Sequence, residues 1–204
     1  MSQGVEVQIL SGAHEAPVQW MRYTNNMTID QSFFLVFYNL AGHGSAGDFL
    51  IVFFGKYFLY IALLVFAYFV YQSWRKGNIP KLYPYAVAVL PAIIARFGVA
   101  SFIRFFYHRP RPFLALGLPH LITDNAYSFP SGHTIFLFAL ATATYFFNKK
   151  LAYFLYFSGA VIGFARVAGG VHYPSDILGG AVLGALTGFV VYKSWEKYFL
   201  QKRG

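Results

Sequence analysis

Long apolar runs separated by short polar segments dominate the chain. Each run is about 18 residues or longer, the length an α-helix needs to cross the hydrocarbon core of a bilayer. The pattern predicts an all-α fold, a polytopic transmembrane helical bundle of about five spans in a single domain, residues 1–204. The five predicted spans, which together form the bundle 49–193, are residues 49–74, 82–104, 131–147, 151–170 and 176–193.

The chain before the first span divides into two parts. Residues 1–28 are polar and irregular, and they lack the basic start and apolar core of a cleavable signal peptide. Residues 29–40 are apolar but too short to cross a membrane, and the glycine-rich run 41–47 would end a helix there. We therefore expect an interfacial or re-entrant helix and its loop over residues 29–47.

Composition agrees with a membrane protein rather than a soluble one. Hydrophobic residues make up 57% of the chain and charged residues only 11%, whereas a typical soluble chain is about 25% charged. The net charge of +9 does not indicate a nucleic-acid-binding protein, because the basic residues lie at span ends or in three polar segments and form no basic stripe. The absence of cysteine excludes disulfides, thiolate catalysis and cysteine–zinc sites.

The basic residues also predict an orientation. With five spans, nearly all those outside the three polar segments fall on one side, which the positive-inside rule assigns to the cytoplasm. The C-terminus is then cytoplasmic and the three segments are extracytoplasmic. The residues on the cytoplasmic side are Arg75, Lys76, Lys81, Lys149, Lys150, Lys193, Lys197, Lys202 and Arg203.

Three glycines recur every four residues on the last span, at Gly180, Gly184 and Gly188. This spacing places them on one helix face, where the backbone of another helix can approach closely. We interpret the repeat as a structural packing seam.

The three polar segments, residues 104–112, 129–133 and 166–176, contain the candidate chemistry. They hold arginines and histidines with very few carboxylates. Arginine presents permanently charged donors matched to phosphate oxygens, and histidine can act as nucleophile or proton carrier near neutral pH. The combination indicates an anion site, and most specifically a phosphoryl-transfer site.

His172 and Asp176 are four residues apart, so a helix start would place them on one face. Asp176 could accept the proton-bearing ring nitrogen of His172 and leave the other nitrogen bare as a nucleophile. The alternative is a simple helix-capping pair around Pro174 and Ser175.

The run Pro130-Ser131-Gly132-His133 has the composition of a helix N-terminus. Free N–H groups and the Ser131 hydroxyl could bind an anion there, and Gly132 would let a phosphate approach the backbone. His133 could then protonate a leaving oxygen. The alternative is a capped helix without a ligand.

Arg104, Arg111 and Arg166 lie near the outer ends of predicted spans. Arginine this close to hydrocarbon is costly and usually has a partner or a function, although each one alone could snorkel to the interface. The convergence of three arginines with two histidines and an aspartate favours a functional site.

Three other basic residues have less definite roles. Arg96 lies eight residues before Arg104, or about 12 Å deeper in a helix, and is a functional candidate by its depth. Tyrosine hydroxyls or unwound backbone near Pro91 are its candidate partners. His108 and Arg109 lie inside the first segment and could simply line its rim.

Neither a metal nor another cofactor is expected. The chain has seven acidic residues, and only Asp124 and Asp176 lie among the polar segments. A two-metal phosphatase needs more carboxylate oxygens than these two supply. Arginine would neutralise phosphate charge in place of magnesium.

The three segments resemble the signature of the type 2 phosphatidic acid phosphatase (PAP2) superfamily, which also includes vanadium haloperoxidases. That signature reads Lys, six residues, Arg-Pro; then Pro-Ser-Gly-His; then Ser-Arg, five residues, His, three residues, Asp. Here Arg104 replaces the Lys, with different donor geometry, and Ala165 replaces the Ser, so selectivity could differ. The positions that match are Arg111-Pro112, Pro130-Ser131-Gly132-His133, Arg166, His172 and Asp176.

The resemblance implies a mechanism. His172, oriented by Asp176, would attack phosphorus and form a phosphohistidine. His133 would protonate the departing oxygen and then help to activate water. The groups implied to hold the phosphoryl oxygens are Arg104, Arg111, Ser131, the Gly132 N–H and Arg166.

The resemblance also implies a membrane lipid phosphate as substrate, entering from the bilayer, and a bacterial plasma membrane as the location. The compact plan with a short helix before the first span is similar to that of bacterial undecaprenyl-diphosphate phosphatases. Phosphatidylglycerophosphate, phosphatidate and lipid A phosphate are the alternative substrates.

A vanadate-dependent haloperoxidase is a rival function that the apolar spans disfavour. A non-catalytic protein that binds or transports lipid phosphate is a second rival, disfavoured because a binder needs no nucleophile.

Overall fold

The computed structural model describes residues 27–42, 44–77 and 79–201, and within these ranges the chain forms helices and no strand. This confirms the predicted all-α fold. Two long rods each contain a π-helical segment, written π1 and π2. The elements are α1 (Ile29–Tyr38), α2 (Ser45–Val52), π1 (Phe53–Tyr57), α3 (Phe58–Arg75), α4 (Ile79–Ile93), π2 (Ile94–Val99), α5 (Ala100–Phe106), α6 (Pro112–Leu116), α7 (Gly132–Tyr145), α8 (Lys149–Ala168) and α9 (Pro174–Gln201).

Helix α1 is the short apolar helix predicted over residues 29–40. Thr28 caps it reciprocally, because the Gln31 N–H donates to the Thr28 hydroxyl at 3.3 Å and the Thr28 N–H donates to the Gln31 side chain at 2.9 Å. Its buried Phe34 packs edge-on against Tyr173, so α1 lies on the loop that leads into α9. Nearly all of the predicted polar segment 1–28 lies outside the described residues, and the assignment of 1–204 to one domain stays a prediction.

Within the described ranges, four helical rods are long and apolar enough to cross a membrane, and they coincide with four of the predicted spans. The remaining predicted span, 131–147, corresponds to α7, which has 14 residues and is about 21 Å long against a hydrocarbon core of about 30 Å. The protein is a polytopic helical membrane protein, while the count of five spans stays a prediction. The four rods are Ala46–Arg75, Leu82–Phe106, Lys149–Ala168 and Pro174–Tyr198.

Helix α7 lies at the centre of the bundle, where it packs against α4, α8 and α9. The glycine repeat of α9 faces it. A Cβ on Gly188 would lie 2.6 Å from the Ala139 carbonyl oxygen, and a Cβ on Gly180 would lie 3.0 Å from that of Ser131. These distances leave little room for a side chain, which confirms the predicted seam and sets the N-terminus of α7 against the first turns of α9.

The three polar segments meet at one end of the bundle. Arg104, in the last turn of α5, donates from Nη2 to the Pro130 carbonyl at 2.7 Å. Arg111, just before α6, donates from Nη1 to the Val171 carbonyl at 2.8 Å. These two hydrogen bonds join the first segment to the second and to the third.

Candidate active site

The central pair of the site is His172, in the loop between α8 and α9, and Asp176, in the first turn of α9. Nδ1 of His172 is 3.4 Å from Oδ2 of Asp176, longer than a normal hydrogen bond but in the predicted orientation. Both side chains are buried. Asp176 also accepts the Tyr173 N–H at 2.8 Å, so it closes the turn as well as facing the histidine.

Two further donors fix the Asp176 carboxylate. Ser128 donates its hydroxyl to Oδ2, and Arg109 donates from Nη1 to Oδ1 at 2.6 Å. Arg109 thereby supplies the positive charge that a buried carboxylate needs. A carboxylate at this position favours the His172 tautomer that carries its proton on Nδ1.

The other ring nitrogen of His172 faces the arginines. Nε2 lies 3.4 Å from Nη1 of Arg111. Burial lowers the pKa of His172 to about 4, with smaller contributions from the charges of Arg166 and Arg111. The imidazole is therefore neutral at pH 7, as a nucleophile must be.

Backbone carbonyls position the two most buried arginines. Arg111 donates from Nε to the Ala126 carbonyl at 2.6 Å, and Arg166 donates from Nη1 to the Gly55 carbonyl at 3.3 Å. Their side chains are only 1% and 3% exposed. Burial lowers the pKa of Arg111 to about 10, so it is still charged at neutral pH.

Some arginine side chains of the site also carry a buried N–H group without a hydrogen-bond acceptor among the described residues. Within the described residues, the Nε atoms of Arg104 and Arg166 are buried and make no hydrogen bond. A buried donor without an acceptor is costly. An anion held among the arginines would supply that acceptor, which supports the predicted phosphate-binding role of both side chains.

Asp124 bridges two of the arginines. Its Oδ1 lies 2.7 Å from Nη2 of Arg111, and its Oδ2 lies 2.6 Å from Nη2 of Arg166. Burial would raise the pKa of Asp124, but the charges of Arg111 and Arg166 outweigh burial and hold that pKa below its usual value. The ionised carboxylate contacts two guanidinium groups as two oxygens of a phosphoryl group would.

The second polar segment forms the predicted helix N-terminus. Ser131 is the N-cap of α7, Gly132 and His133 are its first residues, and Thr134 donates its hydroxyl to that of Ser131 at 3.1 Å. The N–H groups of this first turn have no acceptor within the helix, which suits them to an anion. His133 interacts electrostatically with His172, so the structure brings both predicted catalytic histidines to one site.

Arg109 does more than line the rim of the site. Its guanidinium lies over the Tyr173 ring, 4.1 Å from the centroid, and donates from Nη2 to Asp30 at 2.5 Å. Asp30, in α1, also accepts the Ser175 N–H at 3.0 Å and the Ser175 hydroxyl at 2.5 Å. Helix α1 is thus connected through Arg109 to Asp176. His108, by contrast, is exposed beside the Tyr127 ring.

Sequence interpretation missed three members of this network. Asp124 could have been found, because buried arginines need a carboxylate partner and few acidic residues are near the three segments. Asp30 gave no such signal, since 145 residues separate it from Ser175. Ser128 also gave no signal, because nothing in the sequence distinguishes it from an ordinary loop serine.

No metal site is evident in the part of the chain that the structure describes. There, no three histidine, aspartate or glutamate side chains are grouped as a metal ion would require. Asp124 and Asp176 are both engaged by arginines. The prediction of a metal-independent reaction stays a prediction.

The family assignment follows from comparison with known proteins. The family model of the PAP2 superfamily matches residues 85–199, more than half of the chain and all three polar segments. The chain belongs to the PAP2 superfamily. Every predicted site residue of this PAP2 protein lies inside the matched region, and the resemblance seen in the sequence is confirmed.

Individual relatives agree with the PAP2 assignment. Undecaprenyl-diphosphatase BcrC of Bacillus subtilis is 32% identical over 161 residues, covering 78% of this chain and 81% of the relative. Lipid A 4'-phosphatase of Porphyromonas gingivalis is 26% identical over 175 residues, covering 82% and 73%. The crystal structure of LpxE from Aquifex aeolicus matches with a TM-score of 0.62 at 25% identity, covering 83% of this chain and 98% of LpxE.

Proposed function

We propose that this PAP2 protein is a membrane lipid phosphatase that hydrolyses undecaprenyl diphosphate through a phosphohistidine intermediate. The observation that carries the proposal is the buried His172–Asp176 pair, whose second ring nitrogen faces Arg111. A neutral, oriented imidazole beside permanent cations can attack phosphorus while the cations stabilise charge on the phosphoryl oxygens. A protein that only bound lipid phosphate would have no use for this pair.

The proposed reaction has two steps. First, Nε2 of His172 bonds to the terminal phosphorus, the bond from that phosphorus to the bridging oxygen breaks, and His133 donates a proton to the leaving group. Second, water attacks the phosphohistidine with His133 accepting its proton, the N–P bond breaks, and inorganic phosphate and free His172 result.

Permanent cations and backbone donors would stabilise the charge in both steps. A phosphoryl transition state spreads its charge over the equatorial oxygens. Because Asp124 already contacts two of the guanidinium groups, a bound phosphoryl group would have to displace its carboxylate or share the donors with it. The groups proposed to hold these oxygens are Arg104, Arg111, Arg166, the Ser131 hydroxyl and the Gly132 N–H.

The relatives support the choice of substrate. The relative at 32% identity carries the name undecaprenyl-diphosphatase, which favours a polyprenyl diphosphate. The relative named as a lipid A 4'-phosphatase, at 26% identity, gives lipid A phosphate as the second candidate. Phosphatidylglycerophosphate and phosphatidate complete the set of substrates to compare.

The proposed location of the site is the extracytoplasmic face of a bacterial plasma membrane, with the C-terminus in the cytoplasm. Lys149 begins α8 and Arg166 lies in its last turn, so the basic Lys149–Lys150 pair and the site lie at opposite ends of that helix. The positive-inside rule places the basic end in the cytoplasm. A lipid headgroup could then reach the site from the outer leaflet.

A substrate comparison in detergent with EDTA tests the proposed function. We expect phosphate release to be fastest from undecaprenyl diphosphate, insensitive to EDTA, and reduced about a thousandfold or more in His172→Ala. His108→Ala is the matched control, since His108 is exposed and outside the network, and its rate should equal that of the parent.

Three other results of this comparison would change the proposed function. Faster release from lipid A phosphate would favour the second candidate. Release that persists in His172→Ala would contradict the histidine mechanism. Tight lipid binding without release from any substrate would show a binding protein instead.

A further inference from the structure

Arg96 lies in π2, inside a membrane-spanning rod, and has no ion-pair or hydrogen-bond partner among the described residues. Its guanidinium lies 5.4 Å from the Phe97 ring centroid. Neither a tyrosine hydroxyl nor the backbone near Pro91, the partners considered from the sequence, bonds to it in the described part of the chain. An unpaired arginine at this depth is expensive and is a functional-site candidate.

The local structure directs Arg96 toward the active site. A π-helical segment widens the helical turn and is frequent at functional sites. A Cβ on Gly132 would lie 2.8 Å from Nε and 2.9 Å from Cζ of Arg96, so the guanidinium packs against the first turn of α7. Arg96 also interacts electrostatically with Arg104, His133 and Arg166.

With Arg96, the site holds more positive charge than one phosphoryl group requires. Arg111 and Arg166 share the Asp124 carboxylate, whereas Arg96 and Arg104 form no ion pair within the described residues. Like charges at short range repel one another unless an anion lies between them. A diphosphate would supply that charge on two adjacent groups.

We propose that Arg96 binds the lipid-side phosphate of a diphosphate substrate and thereby selects lipid diphosphates over lipid monophosphates. The inference rests on the function proposed above. Arg96 lies eight residues deeper in the membrane rod than Arg104, and the phosphate attached to a lipid tail lies on the hydrocarbon side of the terminal phosphate. The two arginines are therefore spaced along the direction in which the two phosphates follow each other.

The same contact would assist the chemical step. When Nε2 of His172 bonds to the terminal phosphorus, the bond between that phosphorus and the bridging oxygen breaks. The electron pair of that bond stays on the lipid-side phosphate, where negative charge increases. A cation at this phosphate stabilises the transition state more than the ground state.

The test uses a polyprenyl diphosphate and a polyprenyl monophosphate of the same chain length, so that the substrates differ only in the second phosphate. We expect Arg96→Gln to lower kcat/KM for the diphosphate about 10- to 100-fold, the loss of a charged hydrogen bond. For the monophosphate, kcat/KM should stay within about threefold of the parent on the same argument. Arg75→Gln, at the far end of α3, is the matched control and should leave both values unchanged.

Equal losses on both substrates, or no loss on either, would overturn the proposal. A parent protein that hydrolyses neither substrate would remove the function on which the inference rests, and the inference with it. Arg96→Lys keeps the positive charge and serves as a second variant if Arg96→Gln does not fold. The measurement in this variant is inhibition of the phosphatase by pyrophosphate and by inorganic phosphate. The inhibition constant of pyrophosphate should rise by several-fold while that of inorganic phosphate stays constant; an unchanged pyrophosphate constant in both variants would contradict the proposal.

Discussion

At the residue scale, the Asp124 carboxylate and a bound phosphoryl group would compete for the same two guanidinium groups. Arg111 and Arg166 each donate to one Asp124 oxygen, at 2.7 and 2.6 Å. Binding of a phosphoryl group at these arginines would therefore weaken two partly buried ion pairs, and the free energy this requires would make the binding weaker.

Asp124→Asn tests this competition, because asparagine keeps the shape of the side chain and removes its charge. We expect the inhibition constant of inorganic phosphate to fall about fivefold to tenfold, as expected for charged hydrogen bonds freed for the anion. Asp48→Asn is the matched control, since Asp48, in the first turn of α2, accepts the Gly42 N–H and forms no ion pair with an arginine among the described residues. Weaker inhibition in Asp124→Asn would show instead that Asp124 holds the arginines in position.

The fall of kcat/KM at low pH tests the protonation state of His172. Its pKa is lowered to about 4, chiefly by burial, so the neutral nucleophile persists well below the ordinary histidine value of about 6.5. Once the ionisation of the substrate has been corrected by phosphorus NMR titration, kcat/KM should show no loss between about pH 7 and pH 5, and protonation of His172 should lower it with a midpoint near pH 4. A corrected midpoint between about 6 and 7 would mean that His172 is not buried in this way.

At the element scale, the short helix α1 is connected to the reacting pair. Asp30 accepts hydrogen bonds from Ser175 and Arg109, and Arg109 in turn donates to Asp176. In the proposed mechanism Asp176 orients His172, so we expect Asp30 to act as a positioning residue through Arg109. Helix α1, which the sequence predicts as an interfacial or re-entrant helix, is therefore connected by hydrogen bonds to the candidate active site.

Asp30→Asn should distinguish an effect on the position of Asp176 from an effect on substrate binding. We expect kcat to fall about tenfold, because Arg109 loses a charged acceptor and holds Asp176 less firmly. KM should change little, since the arginines proposed to hold phosphate are untouched. Ser32→Ala is the control on the same helix, because among the described residues the Ser32 hydroxyl bonds only to the Thr28 carbonyl. A large rise in KM, or equal effects of the two variants, would contradict the positioning role.

The long rods were predictable because an apolar run of sufficient length reports directly on a spanning helix. The central place of α7 was not predictable in the same way. Its apolar run resembles those of the other predicted spans, but its burial results from packing against α4, α8 and α9, with α9 brought close at Gly180 and Gly188. The glycine spacing did predict a seam, but nothing in the spacing identified α7 as the partner.

At the scale of the whole molecule, the sequence predicted which motif residues lie together better than it predicted their other contacts. His172, Asp176 and Arg111 lie in spaced motifs, and the structure brings them together as expected. The contacts of Asp30 and Asp124 depend on which loops and helices lie next to each other in the folded bundle. Such long-range pairings leave no periodic or motif signal in a single chain.

The proposed orientation can be tested in intact cells, because the chain contains no cysteine. A single cysteine replacing exposed Asn125, beside the site, should react with a membrane-impermeant thiol reagent added outside. A cysteine replacing exposed Lys150, at the opposite end of α8, should react only after the cells are opened. The reverse pattern would place the active site in the cytoplasm and contradict the proposed topology.

The central claim is that His172 forms a covalent bond to phosphorus during turnover. The most direct measurement is rapid acid-free quenching of the protein with undecaprenyl diphosphate labelled in its terminal phosphate, followed by mapping of the labelled residue. We predict label that is stable in base, labile in acid and located on His172, and that is absent from His172→Ala. Label on another residue, or full turnover with no label under any quench time, would contradict the phosphohistidine mechanism.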